Sequence, residues 1–303
     1  MAVEPVVESS SAAPRGRGRP TLTTALGVAG AAPRRAAHAA KPAIRRAWRR
    51  ALLARAVDET AAAADRSTVV VAPHPDDETL GCGATIARKR AAGTAVTVVI
   101  VTDGRLSHHS AALSPDELAA VRADEARAAC SRLGVDASRL HLLGFEEGTL
   151  PARHEEVTRR LSEILDDAAP YDVFTTCASD WHRDHQAVSA ATRTAVGAAG
   201  RRPRLLEFPV WFWVDGPWRA DMGSGPRHVA RFFLDPARAT RLHAVTVRTG
   251  PYLLAKRAAL AEYRSQTTKL TGEPDWAVMD DQLLSLFLGS AELFLPVNLP
   301  LRR

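Results

Sequence analysis

The sequence predicts an α/β fold, a mainly parallel sheet covered by helices on both faces, and three observations carry the prediction. Short continuous β-branched runs, STVVVAP (67–73) and AVTVVIVTDG (95–104), have the character of strands buried on both sides. Stretches of helical length separate such runs. The two kinds of segment alternate from residue 67 to about residue 200, which demands parallel strands joined by helices packed over the sheet.

The elements follow in order. After the first strand, TLGCGATIARKRAAG reads as a helix ended by Gly93. The second strand is followed by SPDELAAVRADEARAACSRLG, with Ser114 as N-cap, Pro115 at the first helical position, Glu117 completing a capping box and Gly134 at the stop. LHLLGF is a third strand, HEEVTRRLSEILDDA a third helix, DVFTTCA a fourth strand and DHQAVSAATRTAVGAAG a fourth helix. Beyond Gly200 the rhythm loosens: LLEFPVWFWV is β-prone, RFFLD reads as a further strand, and GPYLLAKRAALAEYRSQTTKL and DDQLLSLFLGS read as helices.

The N-terminal segment is of another kind. Residues 1 to about 40 are rich in Ala, Pro, Gly, Arg and Ser without periodicity, and are expected not to pack. Residues 42–64 form a basic helical pattern with Ile44, Trp48, Leu52 and Val57 on one face, read as a solvated leader helix. The expected organisation is a basic, disordered or helical leader over 1–66 and one domain over 67–303.

Charge follows the same division. The 303-residue chain carries a formal net charge of +6, but residues 1–66 hold 12 bases and 5 acids, and the 28 bases and 29 acids of the rest nearly cancel. The basic pI of about 9.7 is therefore no argument for nucleic acid binding by the body, and no nucleic-acid partner is expected. Apolar content of 46% and charged content of 24% are ordinary for a globular protein, and no run of about 18 apolar residues predicts a membrane span. PTLTTALGVAGAAP behind Arg15, Arg17 and Arg19 is too diluted by Thr and Gly to read as an export signal. Cys82, Cys130 and Cys177 are an odd number with no C-x-x-C pair, which indicates a reducing, cytoplasmic setting and no thiolate metal site.

In a parallel sheet, ligands collect at the carboxyl ends of the strands. PHPDDE (73–78) lies at that end of the first strand and SDWHRDH (179–185) at that end of the fourth. His74, Asp77 and His185 together make a two-imidazole, one-carboxylate set, the ligand count of a catalytic zinc site that leaves a position for water. Asp76, next to a ligand, is placed to accept a proton from that water. His182 is placed to stabilise an oxyanion, and Asp184 to fix its tautomer. Capping alone explains either cluster, but capping requires neither both histidines nor an acid triplet.

APHPDDETLGCG, VTDG and DWHRDH resemble the signature stretches of the PIG-L (LmbE-like) family of metal-dependent N-deacetylases, and RADEARAACSRLGV and AEYRSQ extend the likeness over about residues 67–297. The resemblance implies a Rossmann-like three-layer fold and removal of an acetyl group from an N-acetylglucosamine conjugate or related amide. It also implies one zinc ion per chain on His74, Asp77 and His185, a general base at Asp76, and an oxyanion-stabilising His182 oriented by Asp184. The expected partner is a small-molecule amino-sugar conjugate, with self-association left open. The alternatives are an amide hydrolase on a non-sugar substrate and a nucleotide-binding oxidoreductase of Rossmann type.

Other features are weaker. Gly81 and Gly83 resemble half of a dinucleotide fingerprint, but the third glycine is missing and the acid triplet before them would repel a pyrophosphate. Thr102 and Asp103, at the end of the second strand, and Arg122, which the family pattern pairs with Glu125, are candidate substrate contacts. A strand-end turn explains the first two equally well, and a surface ion pair explains the third. Trp211, Trp213 and Trp218 suit a sugar ring, although core or interface packing is the commoner use of such a run. Cys82 reads as a small packed residue.

Overall fold

The computed structural model describes residues 43, 45–215 and 243–299. The chain divides into two units, 1–46 and 47–303, and all that follows concerns the second. The leader to residue 40, RFFLD and Trp218 lie outside the described residues. In chain order the second unit holds helix α1 (47–55), β1 (Val57–Asp58), α2 (Thr60–Ala64), β2 (Thr68–Ala72), α3 (Asp77–Ala91), β3 (Val96–Thr102), α4 (Pro115–Arg132) and β4 (Leu140–Phe145). There follow α5 (His154–Ala168), β5 (Asp172–Thr176), α6 (Arg183–Ala198), β6 (Arg204–Phe208), α7 (Trp211–Asp215), β7 (Val245–Arg248), α8 (Leu253–Glu262), α9 (Arg264–Thr267), α10 (Asp281–Leu284) and β8 (Ala291–Val297).

The strands form one eight-stranded sheet in the order β1-β7-β8-β6-β5-β2-β3-β4. Every pairing is parallel except those of β8 with β6 and with β7. β2 and β3 are buried along their whole length, as their β-branched composition predicts. Val69, Val71, Val99 and Val101 pack against Leu161, Leu165, Val188 and Ala195 of α5 and α6. The alternate residues Val70, Val98 and Ile100, equally buried, point to the other face, where α3, α4 and α8 pack together. Helices on both sides of a mainly parallel sheet are the expected Rossmann-like three-layer arrangement. The capping box at Ser114 and Glu117 is formed as predicted.

The strand order positions the site. From β2 the chain moves outward through β3 to β4 and then returns to lay β5 on the other side of β2. The carboxyl ends of β2 and β5 are therefore neighbours at a topological switch point, where a crevice opens between loops that leave in opposite directions. PHPDDE and SDWHRDH, about a hundred residues apart in sequence, meet there.

Helix α3 explains the two glycines. Lys256 and Glu292, both buried, form an ion pair of 2.7 Å that reaches into the helix: Lys256 Nζ donates to the Leu80 carbonyl at 2.8 Å, and Glu292 accepts from the Ala84 and Thr85 amides at 2.9 and 2.8 Å. Side chains entering a helix ladder in this way need close access to its backbone. A Cβ on Gly83 would stand 2.9 Å from Lys256 Cγ, and one on Gly81 would stand 2.2 Å from the Phe208 ring. The glycines admit neighbouring side chains, and no phosphate cradle is built from them.

Four expectations change. Residues 47–66, expected in the leader, pack in the second unit, because the apolar stripe of α1 is used: Trp48 is buried with its ring 5.2 Å from that of Phe212 and 5.7 Å from that of Trp213, and Leu52 is fully covered. The expected helix over 42–64 is interrupted by β1, which pairs with β7. LLEFPVWFWV is not one strand: β6 stops at Phe208, since Pro209 has no amide for a ladder bond, and α7 begins at Trp211. The helix expected over 250–270 breaks at Tyr263, where ψ is 60°, and the Tyr263 hydroxyl donates to Glu78 at 2.5 Å. Among the described residues no helix is long and apolar enough to cross a membrane, and all three cysteines are free and buried.

Candidate active site

At the end of β2 two prolines and a strained aspartate turn the chain. Pro73 offers a carbonyl that accepts from the Thr102 amide and hydroxyl at 2.8 and 2.9 Å, tying the end of β2 to the end of β3. Asp76 has φ 126°, ψ −32°, a conformation that costs a residue with a side chain about 1–3 kcal/mol. Its neighbours hold it there. The buried Arg122 guanidinium donates to the Pro75 carbonyl and, at 3.1 Å, to Asp76 Oδ2, while Glu78 accepts from the Asp76 amide at 3.1 Å. The consequence is that consecutive aspartates serve different partners, Asp76 facing Arg122 and Asp77 facing the histidines.

Asp77 Oδ2 is the centre of the cluster. It lies 3.2 Å from His74 Nδ1 and 3.2 Å from His185 Nε2, and accepts from the His74 amide at 3.1 Å. His185 enters from the first turn of α6. Its Nδ1 lies 2.8 Å from Asp180 Oδ2, and Asp180 Oδ1 accepts from the Phe212 amide at 2.7 Å. In the neutral imidazole that bond keeps the proton on Nδ1 and turns the Nε2 lone pair toward the cluster. Nε2 is buried and faces Asp77 Oδ2 at 3.2 Å without a hydrogen bond of good geometry. His74 is flanked on its other edge by Asp184 Oδ2, 3.4 Å from Nε2, and by Glu147 Oε1 at 3.7 Å.

The donor set fits a metal ion. Tetrahedral ligands about 2.0–2.2 Å from one zinc-sized ion stand about 3.3–3.6 Å apart, close to the 3.2 Å separations at Asp77 Oδ2. An orphaned buried imidazole nitrogen, with its opposite nitrogen fixed by a carboxylate, is the arrangement by which proteins orient a ligating histidine. His74, His182 and His185 also offer nitrogen atoms that all lie within 4.8 Å of one another.

His182 differs from the other two imidazoles. It is the N-cap of α6, and its Nδ1 accepts from the Asp184 amide at 3.3 Å, which leaves its proton on Nε2 as a donor. The Asp184 carboxylate does not bond His182, as the sequence suggested it would. Its Oδ2 goes to His74 Nε2 and to the Gly148 amide at 2.8 Å, because the first turn of α6 aims it across the switch point.

Electrostatics follow the same division. Burial would lower His74 and His185, but Asp184 and Asp77 for the first, and Asp77 and Asp180 for the second, outweigh it and raise them to about 9 and about 10. A pocket that raises two buried imidazoles so far is strongly negative and suited to a cation. Burial, with His74 and His185 adding to it, lowers His182 to about 4, so it is neutral. Burial raises Asp76 to about 8 against the pull of Arg122.

The candidate substrate contacts sit elsewhere than expected. Thr102 is buried with its hydroxyl on Pro73, and Asp103 pairs with Arg105 Nε at 2.7 Å. Arg122 lies beneath the loop and holds Asp76, while its neighbour Glu125 accepts from the Ser265 amide and hydroxyl at 2.7 and 2.6 Å. Asp180 was missed by sequence reasoning, and the only signal for it was an acid five positions before His185. Asp180→Asn is expected to weaken metal affinity about 10–100-fold without unfolding the chain, as measured by competition with a metallochromic chelator.

The chain is similar to several known proteins. Residues 69–196 match the family model described as PIG-L: GlcNAc-PI de-N-acetylase. The 1D-myo-inositol 2-acetamido-2-deoxy-alpha-D-glucopyranoside deacetylase 2 of Catenulispora acidiphila is 31% identical over 257 residues, 67% of this chain and 80% of that protein. The diacetylchitobiose deacetylase of Thermococcus kodakarensis is 28% identical over 61% of this chain and 68% of its own length. Among solved structures, a conserved protein from Thermus thermophilus superposes with TM-score 0.50 at 26% identity, covering 78% of this chain and 99% of that one. N,N'-diacetylchitobiose deacetylase from Pyrococcus horikoshii shares the fold, with TM-score 0.53 at 20% identity over 77% of this chain and 84% of its own.

Proposed function

Because the chain belongs to the PIG-L family, we propose that it is a zinc-dependent hydrolase that removes an acetyl group from the amide nitrogen of an N-acetylglucosamine-containing small molecule. The observation that carries the reading is the buried, unbonded Nε2 of His185 beside Asp77 Oδ2 and His74, at the carboxyl ends of two strands. The relatives named for deacetylation of amino-sugar conjugates supply the substrate class.

His74, Asp77 and His185 would hold the ion. Two imidazoles and a carboxylate suit zinc, which when bound supplies Lewis acidity toward the acetamide oxygen and a water acidified to a pKa of about 7. Asp76 takes the proton from the attacking water. Arg122 and a divalent charge at the neighbouring ligands both favour its ionised form, while burial makes it a stronger base than an exposed carboxylate. His182, neutral and carrying its proton on Nε2, donates to the oxygen of the carbonyl as negative charge develops there. Asp76, protonated in the first step, then returns that proton to the departing amine. Asp184 holds His74, and Asp180 holds His185.

Purified protein is expected to release acetate from N-acetylglucosamine conjugates, to stop when a chelator is added and to recover with zinc. Under the same assay His182→Ala should retain its metal and lose about 100-fold to 1000-fold in turnover. Turnover indifferent to chelator would contradict the metal, and an unchanged rate in the variant would remove His182 as the donor.

A further inference from the structure

Five tryptophans lie among the described residues, and they divide sharply by exposure. Trp48, Trp213 and Trp276 are buried, whereas Trp181 is 42% exposed and Trp211 is partly exposed. A core role explains the first three and does not explain Trp181. Its position is specific: it precedes His182 in sequence, its ring centroid lies 5.6 Å from that of His182, and it leans on Trp211 at 5.3 Å with a 50° tilt. His182 in turn lies 4.7 Å from His74 and 5.2 Å from His185. A continuous series of rings therefore runs from the candidate metal ligands out to solvent at Trp181.

We propose that Trp181, supported by Trp211, is a stacking shelf for the C–H face of a saturated ring of the substrate, the pyranose or cyclitol ring joined to the N-acetylated sugar. This deepens the deacetylase reading and rests on it. The electron-rich face of an indole attracts the weakly positive axial C–H groups of such a ring, and covering an exposed tryptophan adds the burial of its apolar surface. His182 stands between the shelf and His74, so a ring on Trp181 lies one group farther out than the ring whose acetamide reaches His74, Asp77 and His185. The two rings then bind together, and the outer one adds affinity without taking part in the chemistry. Trp181 is a specificity residue with an expected effect on KM.

The test uses the full chain loaded with zinc and two probes, 1D-myo-inositol 2-acetamido-2-deoxy-α-D-glucopyranoside with two rings and N-acetylglucosamine with one. Trp181→Ala should raise KM for the two-ring probe about tenfold and leave kcat within about twofold, while the one-ring probe changes little. Trp181→Phe should restore most of the loss, because a flat aromatic face is retained. Equal effects on both probes, or none on either, would overturn the shelf. A second readout does not depend on turnover: the indole N–H resonance of Trp181, assigned by its disappearance in Trp181→Phe, should shift when the two-ring probe is titrated into the parent. A shift without acetate release would leave the shelf standing and refute the deacetylase reading, and acetate release without a shift would do the reverse.

Discussion

His185→Ala is expected to lose the divalent ion and to reduce acetate release to background. His185 is fully covered, and its Nε2 faces Asp77 Oδ2 at 3.2 Å without a hydrogen bond of good geometry. Alanine removes one of the three proposed ligands and also separates Asp180 from the cluster it orients. Two carboxylates, Asp77 and Asp180, then lose the imidazole between them and the ion it helps to hold. Breaking a buried pair in this way costs about 3–5 kcal/mol, so thermal stability should fall together with metal content. Circular dichroism at low temperature establishes that the variant is folded, and elemental analysis then counts its metal. A folded His185→Ala that keeps one tightly held ion per chain would overturn the ligand assignment.

Asp76→Asn is expected to do the opposite to metal and the same to rate. Asparagine has nearly the same shape, tolerates positive φ better than most residues and keeps an oxygen for Arg122, so the loop and the neighbouring ligands should stay in place. What disappears is the ability to take a proton. Turnover should fall about 100-fold to 10,000-fold with the ion retained and KM little changed. Stability gives a second sign. Burial raises the carboxyl of Asp76 to about 8, which means that the folded protein disfavours its charge at neutral pH. In the metal-free protein, replacing it by a neutral amide should therefore leave the unfolding midpoint unchanged or raise it. A variant with parental turnover would remove Asp76 as the base.

Much of this was legible in the sequence because it depends on strand ends. The β-branched runs specify buried strands, and the alternation with helices specifies which edge PHPDDE and SDWHRDH share, so His74, Asp77 and His185 could be brought together without coordinates. What was not legible depends on which side chain meets which across the sheet. Arg122 looks like one half of a surface ion pair until α4 is seen to pass beneath the loop and deliver the guanidinium to Pro75 and Asp76. Asp180 hides in an acidic loop where a capping role fits equally well, and only the fold shows it gripping both His185 and the start of α7. Asp184 lies two residues from His182, and proximity in sequence suggested the wrong imidazole for its carboxylate. Local pattern likewise misread the aromatic run after β6, where Pro209 and the capture of the Phe212 amide by Asp180 outweigh β propensity. Gly81 and Gly83 answer to Phe208 and Lys256, partners far away in sequence.

The most direct test is anomalous diffraction from crystals of the zinc-loaded protein, collected on both sides of the zinc absorption edge. A single peak is expected that vanishes below the edge and lies about 2.0–2.2 Å from His185 Nε2, Asp77 Oδ2 and a ring nitrogen of His74. A map with no such peak there, or with zinc bound only at other residues, would contradict the claim that loops from β2 and β5 converge to hold a catalytic ion.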